Sequence, residues 1–263
     1  MKSKIVWITG ASSGMGKATA LEFAKKGYTL ILTALEADLL EQVKQEALNL
    51  GAADVFLLPF DLSKKEEITA LAEQAWNLCG RIDIMYNNAG ISQRGTTVET
   101  EMKVINKVMD VNYFAPVLIV KSILPKMIQQ GGGQLAVTTS IAGKFGFPLR
   151  CAYCSSKHAL NGFFETVAAE YYKDNIRVTI VCPGRVQTNI SLYALEKDGT
   201  PHGKMDKGQA SGISVEKAGK QIVRAIEKQK REVLVGKKEL LMVYVKRFFP
   251  GLAAKIARSI ESM

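Results

Sequence analysis

Residues 4–27 read KIVWITGASSGMGKATALEFAKKG, and this stretch decides the fold. Its first part, Lys4–Thr9, carries the unbroken apolar run IVWI, the pattern of a strand buried on both faces. Gly10, Gly14 and Gly16 follow at once in the spacing G-x-x-x-G-x-G. KATALEFAKK then has a helical apolar pattern that Gly27 ends. A strand, a glycine-rich turn and a helix N-terminus together make an anion site. Gly10 permits the tight turn, Gly14 lets backbone approach a phosphate, and the helix start offers free N–H groups and a positive dipole end. In this context the glycine spacing predicts a dinucleotide.

Outward from that unit, apolar strand candidates alternate with helical patterns. The predicted strands are Lys4–Thr9, Thr29–Thr33, Val55–Pro59, Ile82–Tyr86, Gln134–Thr139, Arg177–Cys182 and Glu232–Val235. The fold class is therefore α/β: a single doubly wound parallel sheet, Rossmann-like, flanked by helices on both faces. Right-handed crossovers place ligands beyond the C-terminal ends of such strands. The glycine loop, Asp61-Leu62, Asn87–Gly90, Ser140 and Pro183-Gly184 all fall there. One local conflict is Pro116, inside the otherwise helical MKVINKVMDVNYFAPVLIVKSIL. It removes the hydrogen bond to the carbonyl of residue 112, which kinks the helix, frees that carbonyl to hold a water, or does both.

Tyr153 and Lys157 stand four apart in a helical pattern and so share a face. Ser140 lies thirteen residues upstream of Tyr153, at the end of an apolar run. An ammonium about 4 Å from a phenol is worth roughly 4 kcal/mol at an effective dielectric of 20, or about three pKa units. That would bring a phenol from about 10 to near neutrality. Alone, the Tyr/Lys spacing fits an ordinary surface helix better than a catalytic pair, because such spacing is common on helices; the N-terminal anion site is what favours chemistry.

Taken together, these motifs resemble the short-chain dehydrogenase/reductase family over nearly the whole chain. Thr9-GASSGM-Gly16 resembles that family's cofactor loop, Asn87-Asn88-Ala89-Gly90 its Asn-Asn-Ala-Gly segment, and Pro183-Gly184 with Val186 and Thr188 the segment beside the nicotinamide. The resemblance implies a catalytic set of Asn112, Ser140, Tyr153 and Lys157. It implies cofactor contacts from Gly10, Ser12, Ser13, Gly14, Met15, Gly16, Asp61, Leu62, Asn88, Ala89, Gly90, Tyr153, Lys157, Pro183, Gly184, Val186 and Thr188. The implied reaction is NAD(P)-dependent hydride transfer between nicotinamide and a secondary alcohol or carbonyl. The lid and tail further resemble the branch acting on lipophilic carbonyls. The other reading is a catalytically inactive dinucleotide-sensing protein. The family also implies a homodimer or homotetramer, built through the helices holding Asn112 and Tyr153.

The cofactor's identity turns on the end of the second strand, where an acidic residue would accept from a ribose 2′-hydroxyl and an arginine would pair with a 2′-phosphate. The sequence there is Ala34-Leu35-Glu36. NADP-preferring relatives often have arginine at the Leu35 position or a basic residue at the Ser13 position, and NAD-preferring relatives aspartate at the Ala34 position. All three are missing. Glu36 tips the reading toward NAD, with NADP as the alternative. Asp61 either meets the adenine, as the resemblance implies, or caps the helix begun by SKKEEITALAEQ. Asn87 and Asn88 fit a structural tie between strands. Thr188 either bonds the nicotinamide carboxamide or starts a helix. His158 points about 100° away from Lys157. His202 falls in the predicted lid with no partner visible in the sequence.

The chain has 263 residues, 47% of them hydrophobic, enough for one large core. Residues 1–263 read as one domain, with a substrate lid at about 186–213 and a basic amphipathic segment at about 238–263. Apolar side chains in the loop after Ser140 (Phe145, Phe147, Leu149) and in the lid (Leu192, Tyr193, Leu195, Met205) fit either a greasy substrate or loop anchoring. Cys79, Cys151, Cys154 and Cys182 show no disulfide framework and no metal set, which fits a cytoplasmic chain. The apolar part of MKSKIVWITGA is short for a signal peptide, and cleavage after it would remove the phosphate loop. No run of 18 apolar residues occurs. The net charge of +10 sits mainly at the end: residues 200–263 hold 14 basic and 6 acidic side chains, against 21 and 19 before them. There Leu240, Leu241, Val243, Tyr244, Val245, Phe248, Phe249, Leu252, Ile256 and Ile260 are interleaved with Lys246, Arg247, Lys255 and Arg258. Packing over the substrate cleft or an interface is the ordinary reading of such a segment. Peripheral contact with an anionic membrane is the alternative. No aromatic-interleaved basic groove or reader motif points to nucleic acid.

Overall fold

The computed structural model describes residues 3–259. Its elements are β1 (Ile5–Thr9), α1 (Gly14–Ala24), β2 (Thr29–Ala34), α2 (Ala37–Asn49), β3 (Asp54–Pro59), α3 (Ile68–Cys79), β4 (Ile84–Asn87), α4 (Met102–Met109), α5 (Ala115–Gln129), β5 (Gly133–Thr138), α6 (Cys151–Glu170), β6 (Ile176–Pro183), α7 (Lys207–Ala210), α8 (Val215–Glu227), β7 (Glu232–Val235), α9 (Leu241–Phe248) and α10 (Pro250–Ser259). All seven predicted strands are present, with ends shifted by two residues at most.

Their order is β3-β2-β1-β4-β5-β6-β7, and every neighbouring pair is parallel. Successive side chains of β1 alternate between two cores. Ile5 and Trp7 pack beneath α3, α5 and α6, while Val6 and Ile8 pack beneath α1, α2 and α8. Both faces are thus covered, which is why the strands read as continuous apolar runs. The strand order reverses between β1 and β4, where Val6 pairs with Ile84 and Ile8 with Tyr86. A crevice at the C-terminal ends of the strands opens at this switch point.

The Pro116 conflict resolves as a π-turn. Asp110–Phe114 joins α4 to α5, and the Ala115 N–H reaches back five residues to the Asp110 carbonyl. Pro116 has no N–H to give Asn112, and the turn beside it is widened by a residue. The continuous helix Met102–Gln129 has a mean hydropathy of 1.3 over its most apolar window. Ala115, Ile119, Ile123 and Met127 of α5 are buried in the core, so this is the hydropathy of a core helix.

Helices α9 and α10 form a pair at the chain's end. Leu241, Tyr244, Phe248, Phe249 and Leu252 face outward, each at least half exposed. Ile260 of the predicted apolar set lies outside the described residues.

Candidate active site

The loop between β1 and α1 packs backbone against backbone. Gly10 has φ +65°, and a Cβ there would stand 2.8 Å from the Cα of Ala89. A Cβ on Gly16 would overlap the Gly10 carbonyl oxygen. Ser13 occupies the N-cap of α1 in extended conformation and makes no side-chain cap bond. The first-turn N–H groups at Gly14, Met15 and Gly16 therefore keep their donors for an external anion. Asn88 fixes this loop to the sheet. Its Nδ2 donates to the carbonyls of Thr9 and Gly10, both at 3.2 Å, and its Oδ1 accepts from the hydroxyls of Tyr86 (3.3 Å) and Thr138 (3.2 Å). Asn88 thus ties the ends of β1, β4 and β5. Asn87 is buried with neither side-chain polar atom partnered.

A cleft of about 510 Å³ opens beyond β1, β4, β5 and β6. Ser140 enters it from the end of β5, Tyr153 and Lys157 from the first turns of α6, and Asn88 and Gly90 from the end of β4. Pro183, Gly184, Val186 and Thr188 line the β6 side, and Met15 the α1 side. The predicted loop residues Gly10, Ser12, Ser13, Gly14, Gly16 and Ala89 flank this cleft without lining it. Ser140 Oγ caps the turn Ile141–Gly143 by accepting from the Ala142 N–H at 3.1 Å, and donates to the Pro183 carbonyl at 3.3 Å.

Lys157 is buried, and its Nζ donates to the Thr138 carbonyl at 2.8 Å. This is its one hydrogen bond among the described residues, so two ammonium N–H groups are left without a protein partner there. Nζ lies 5.8 Å from the Tyr153 ring centroid. Burial lowers the Lys157 pKa to about 8. The Tyr153 phenol moves upward, chiefly through burial, with a hydrogen bond to Ser140 and the charges of Arg150 and Arg94 pulling it partly back. The sequence predicted a lysine-depressed phenol. The direction is the opposite one: desolvation of the phenol outweighs the Ser140 hydrogen bond and the charges of Arg150 and Arg94.

Asn112 is fully buried in the π-turn and does not line the cleft. Its Oδ1 accepts from the Ile91 N–H at 2.8 Å, while its Nδ2 donates to the Ile91 carbonyl (2.9 Å) and to Ser156 Oγ (3.0 Å). Its side chain therefore clamps the segment after Gly90 to α6.

Ser12 Oγ donates to Glu36 Oε2 at 2.8 Å, joining the glycine loop to the end of β2. Asp61 accepts from the Ser63 N–H (2.9 Å) and hydroxyl (2.8 Å) in a local turn. It does not cap α3, whose N-cap is Glu67. Leu62 is buried beneath α3, and neither residue lines the cleft. Thr188 starts no helix; its Oγ1 accepts from Gln209 Nε2 at 2.8 Å. His158 is exposed and bonds the Cys154 carbonyl. His202 does have partners, Glu196 at 2.5 Å and Asp206 at 3.9 Å. The four cysteines are free.

Of the predicted greasy residues, Phe145 and Phe147 line the cleft, their ring centroids 4.5 Å apart. Leu149, Leu192, Tyr193, Leu195 and Met205 do not; Tyr193 and Met205 face solvent. The lid instead contributes Ile190, Asp206, Gly208 and Gln209, and Lys238, Glu239 and Met242 enter from the C-terminal segment. Arg94 and Arg150 also line the cleft and share Asp206. No spacing signal connects residues so far apart in the chain; only the fold brings them together.

Comparison with known proteins places these features in a family. The short chain dehydrogenase family model matches residues 4–198. Dehydrogenase/reductase SDR family member 7B of Xenopus laevis is 40% identical over 258 residues, covering 96% of this chain and 80% of that protein. The protein of the same name from Mus musculus is 36% identical over 263 residues, covering 98% and 81%. Among solved structures, a short chain dehydrogenase/reductase from Burkholderia phymatum in complex with NAD shares the fold, with TM-score 0.83 at 24% identity and 95% of each chain covered. An alcohol dehydrogenase from Thermococcus sibiricus complexed with 5-hydroxy-NADP has TM-score 0.76 at 26% identity, covering 90% of this chain and 97% of that one.

Proposed function

The chain belongs to the short-chain dehydrogenase family and is an oxidoreductase; from that premise we propose that it transfers a hydride between nicotinamide and a secondary alcohol or carbonyl carbon of a lipophilic substrate. The reading is carried by the convergence of Ser140, Tyr153 and Lys157 on one cleft beside the glycine loop. The first-turn donors of α1, at Gly14, Met15 and Gly16, would hold the cofactor diphosphate. The free N–H groups of Lys157 would hold a ribose, and Thr188 a carboxamide. A bound nicotinamide supplies or accepts the hydride.

The chain's own residues handle the proton and the charge. The Ser140 hydroxyl orients the substrate oxygen and stabilises charge growing on it. Tyr153, kept protonated by burial, donates its phenolic proton to that oxygen during reduction and takes it back during oxidation. The nearby Lys157 ammonium favours the phenolate once the proton has left. Asn112 holds the Ile91 segment so that the cleft keeps its shape. Phe145, Phe147, Ile190 and Met242 give the substrate apolar walls.

A catalytically inactive sensor would need the glycine loop but not a buried ammonium, which is costly to keep without a chemical use. The reading is tested by following nicotinamide absorbance with a panel of lipophilic ketones and alcohols. Turnover is expected, and Tyr153→Phe lowers it by at least about a hundredfold while the cofactor still binds. Near wild-type turnover in that variant removes Tyr153 from the mechanism.

We assign the whole chain to one functional unit, with residues 186–213 as its lid. NAD is the preferred cofactor on this reading, because Glu36 is anchored beside the glycine loop. Self-association as a homodimer or homotetramer uses the helices holding Asn112 and Tyr153, where Phe114 is exposed. The C-terminal segment has two faces. Met242 lines the cleft, while the outward apolar row on α9 and α10, with Lys246, Arg247 and Lys255, contacts an anionic membrane surface. On this reading the protein is cytoplasmic, with this face peripheral to a membrane.

A further inference from the structure

One stretch of the cleft lining, formed by Arg94, Arg150 and Asp206, carries more positive charge than its own residues neutralise. Backbone pairing brings two arginines together there. Arg94 N donates to the Leu195 carbonyl at 2.7 Å, and Gly95 pairs with Arg150 through its N–H to the Leu149 carbonyl at 3.3 Å. Both guanidiniums then converge on one atom, Asp206 Oδ2, with Nη2 of Arg94 at 2.7 Å and Nη2 of Arg150 at 2.8 Å. Two cations share one carboxylate, so one positive charge is left over.

The hydrogen-bond inventory has the same surplus. Arg94 is buried; its Nη1 donates to Ser92 Oγ (2.9 Å) and the Gln93 carbonyl (2.8 Å), and its Nε has no partner. Arg150 makes no other side-chain hydrogen bond among the described residues. A buried guanidinium donor without an acceptor is costly and calls for an anion. The like charge of Arg150 adds to burial in lowering the Arg94 pKa. Asp206 itself belongs to the predicted lid and stands at the N-cap of the short helix α7.

We propose that Arg94 and Arg150 form an oxyanion seat selecting alcohol or carbonyl substrates that bear a carboxylate or phosphate group, with Asp206 as the resident counter-ion that the substrate's anion joins or displaces. This rests on the hydride-transfer reading of the same cleft and adds a charge requirement to it. The planar fork of a guanidinium suits either oxyanion. The apolar wall of Phe145 and Phe147 then receives the substrate's hydrocarbon part, and the seat fixes its direction. Charge on Asp206 competes with the substrate for the same donors, so occupation of the seat loosens the lid's hold.

The test uses the full-length protein with nicotinamide cofactor and three ketones of equal chain length, ending in methyl, carboxylate or phosphate monoester. One or both anionic members should exceed the methyl ketone in kcat/KM by at least about tenfold, and the carboxylate and phosphate arms tell which oxyanion fits. Arg150→Ala, at a partly exposed position, should reduce that ratio about tenfold or more, and Arg150→Lys should restore part of it. Asp206→Asn should raise the ratio, whereas a purely structural triad would lower turnover of all three ketones alike. Equal kcat/KM for all three, or a ratio unmoved by Arg150→Ala, overturns the seat while leaving hydride transfer standing. If no ketone turns over, binding of the matching saturated carboxylate and phosphate to the cofactor-loaded protein is measured by calorimetry. Binding that Arg150→Ala weakens supports the seat independently of chemistry, and no binding overturns it.

Discussion

The Lys157 ammonium stands 5.8 Å from the Tyr153 ring centroid and donates to the Thr138 carbonyl at the end of β5. Sheet and helix thus fix this pair together, and both groups are drawn toward their neutral forms by burial. A phenol held protonated beside a cleft is ready to donate, which is what carbonyl reduction asks of it at neutral pH. The ammonium matters most after the proton has left, when a buried phenolate needs a cation.

Lys157 is therefore expected to cost stability. Its pKa is about 8 in the folded protein, against 10.5 as the ordinary value. The unfolded chain binds more protons between those values, so stability rises with pH across that window. The penalty is full below pH 8 and gone above 10.5, with a span of about 3 kcal/mol. Lys157→Met should be more stable than wild type at pH 7, by up to about that amount less its lost hydrogen bond to Thr138. The advantage should shrink toward pH 10.5. Denaturant melts of both proteins at pH 7 and pH 10 check this. A variant less stable at pH 7 would mean that the ammonium is not paying a desolvation cost.

Glu36 should decide between the two nicotinamide cofactors. Its carboxylate is held 2.8 Å from Ser12 Oγ, beside the place where a 2′-phosphate would need a cation. Wild type should show higher kcat/KM with NAD(H). Glu36→Ala should move the ratio toward NADP(H) by about fivefold, the scale of one exposed like-charge contact. A wild type preferring NADP(H) would contradict this outright.

Much of this arrangement was legible in the sequence because it is local. IVWI, the glycine spacing and the strand-end positions of Asn88, Ser140 and Pro183 each follow from short-range rules. The Tyr153–Lys157 pair follows from helix geometry alone. The direction of the Tyr153 shift was not legible, since it depends on how much protein surrounds the phenol. Nor was the Arg94–Asp206–Arg150 cluster, which joins three loops through bridges such as Gly95 to Arg150. The lid's apolar residues left two readings open for a related reason, a greasy substrate or loop anchoring. Tyr193 and Met205 turn outward, while Ile190 of the lid and Met242 of α9 line the cleft.

Asn112 illustrates a residue whose catalytic resemblance hides a structural duty. Three hydrogen bonds hold Ile91 and Ser156 to it. Asn112→Ala leaves the Ile91 N–H and carbonyl without these partners and should cost about 2–4 kcal/mol. Thermal melts should show the loss with and without cofactor. An unchanged melting temperature would mean that the clamp is dispensable and that any activity defect arises elsewhere.

The C-terminal helices allow a test of membrane contact that leaves the cleft intact. Leu241, Tyr244 and Phe248 lie along one face of α9 at spacings of three and four, and Phe249 and Leu252 extend the row. An exposed apolar row of this size, bordered by Lys246, Arg247 and Lys255, suits the interface of an anionic bilayer. Removing residues 238–263 would also remove Met242 from the cleft, so truncation cannot separate anchoring from activity. Point changes can. Phe248→Ser with Phe249→Ser removes two exposed rings, and Lys246→Glu with Arg247→Glu reverses charge worth about 1 kcal/mol per residue near an anionic surface. Wild type should float with phosphatidylserine-containing vesicles, less so with neutral ones. Each double variant should lose most of that flotation while keeping its melting temperature, because the altered side chains are exposed. If wild type stays in the soluble fraction, or floats no better than the variants, the outward face serves some other surface.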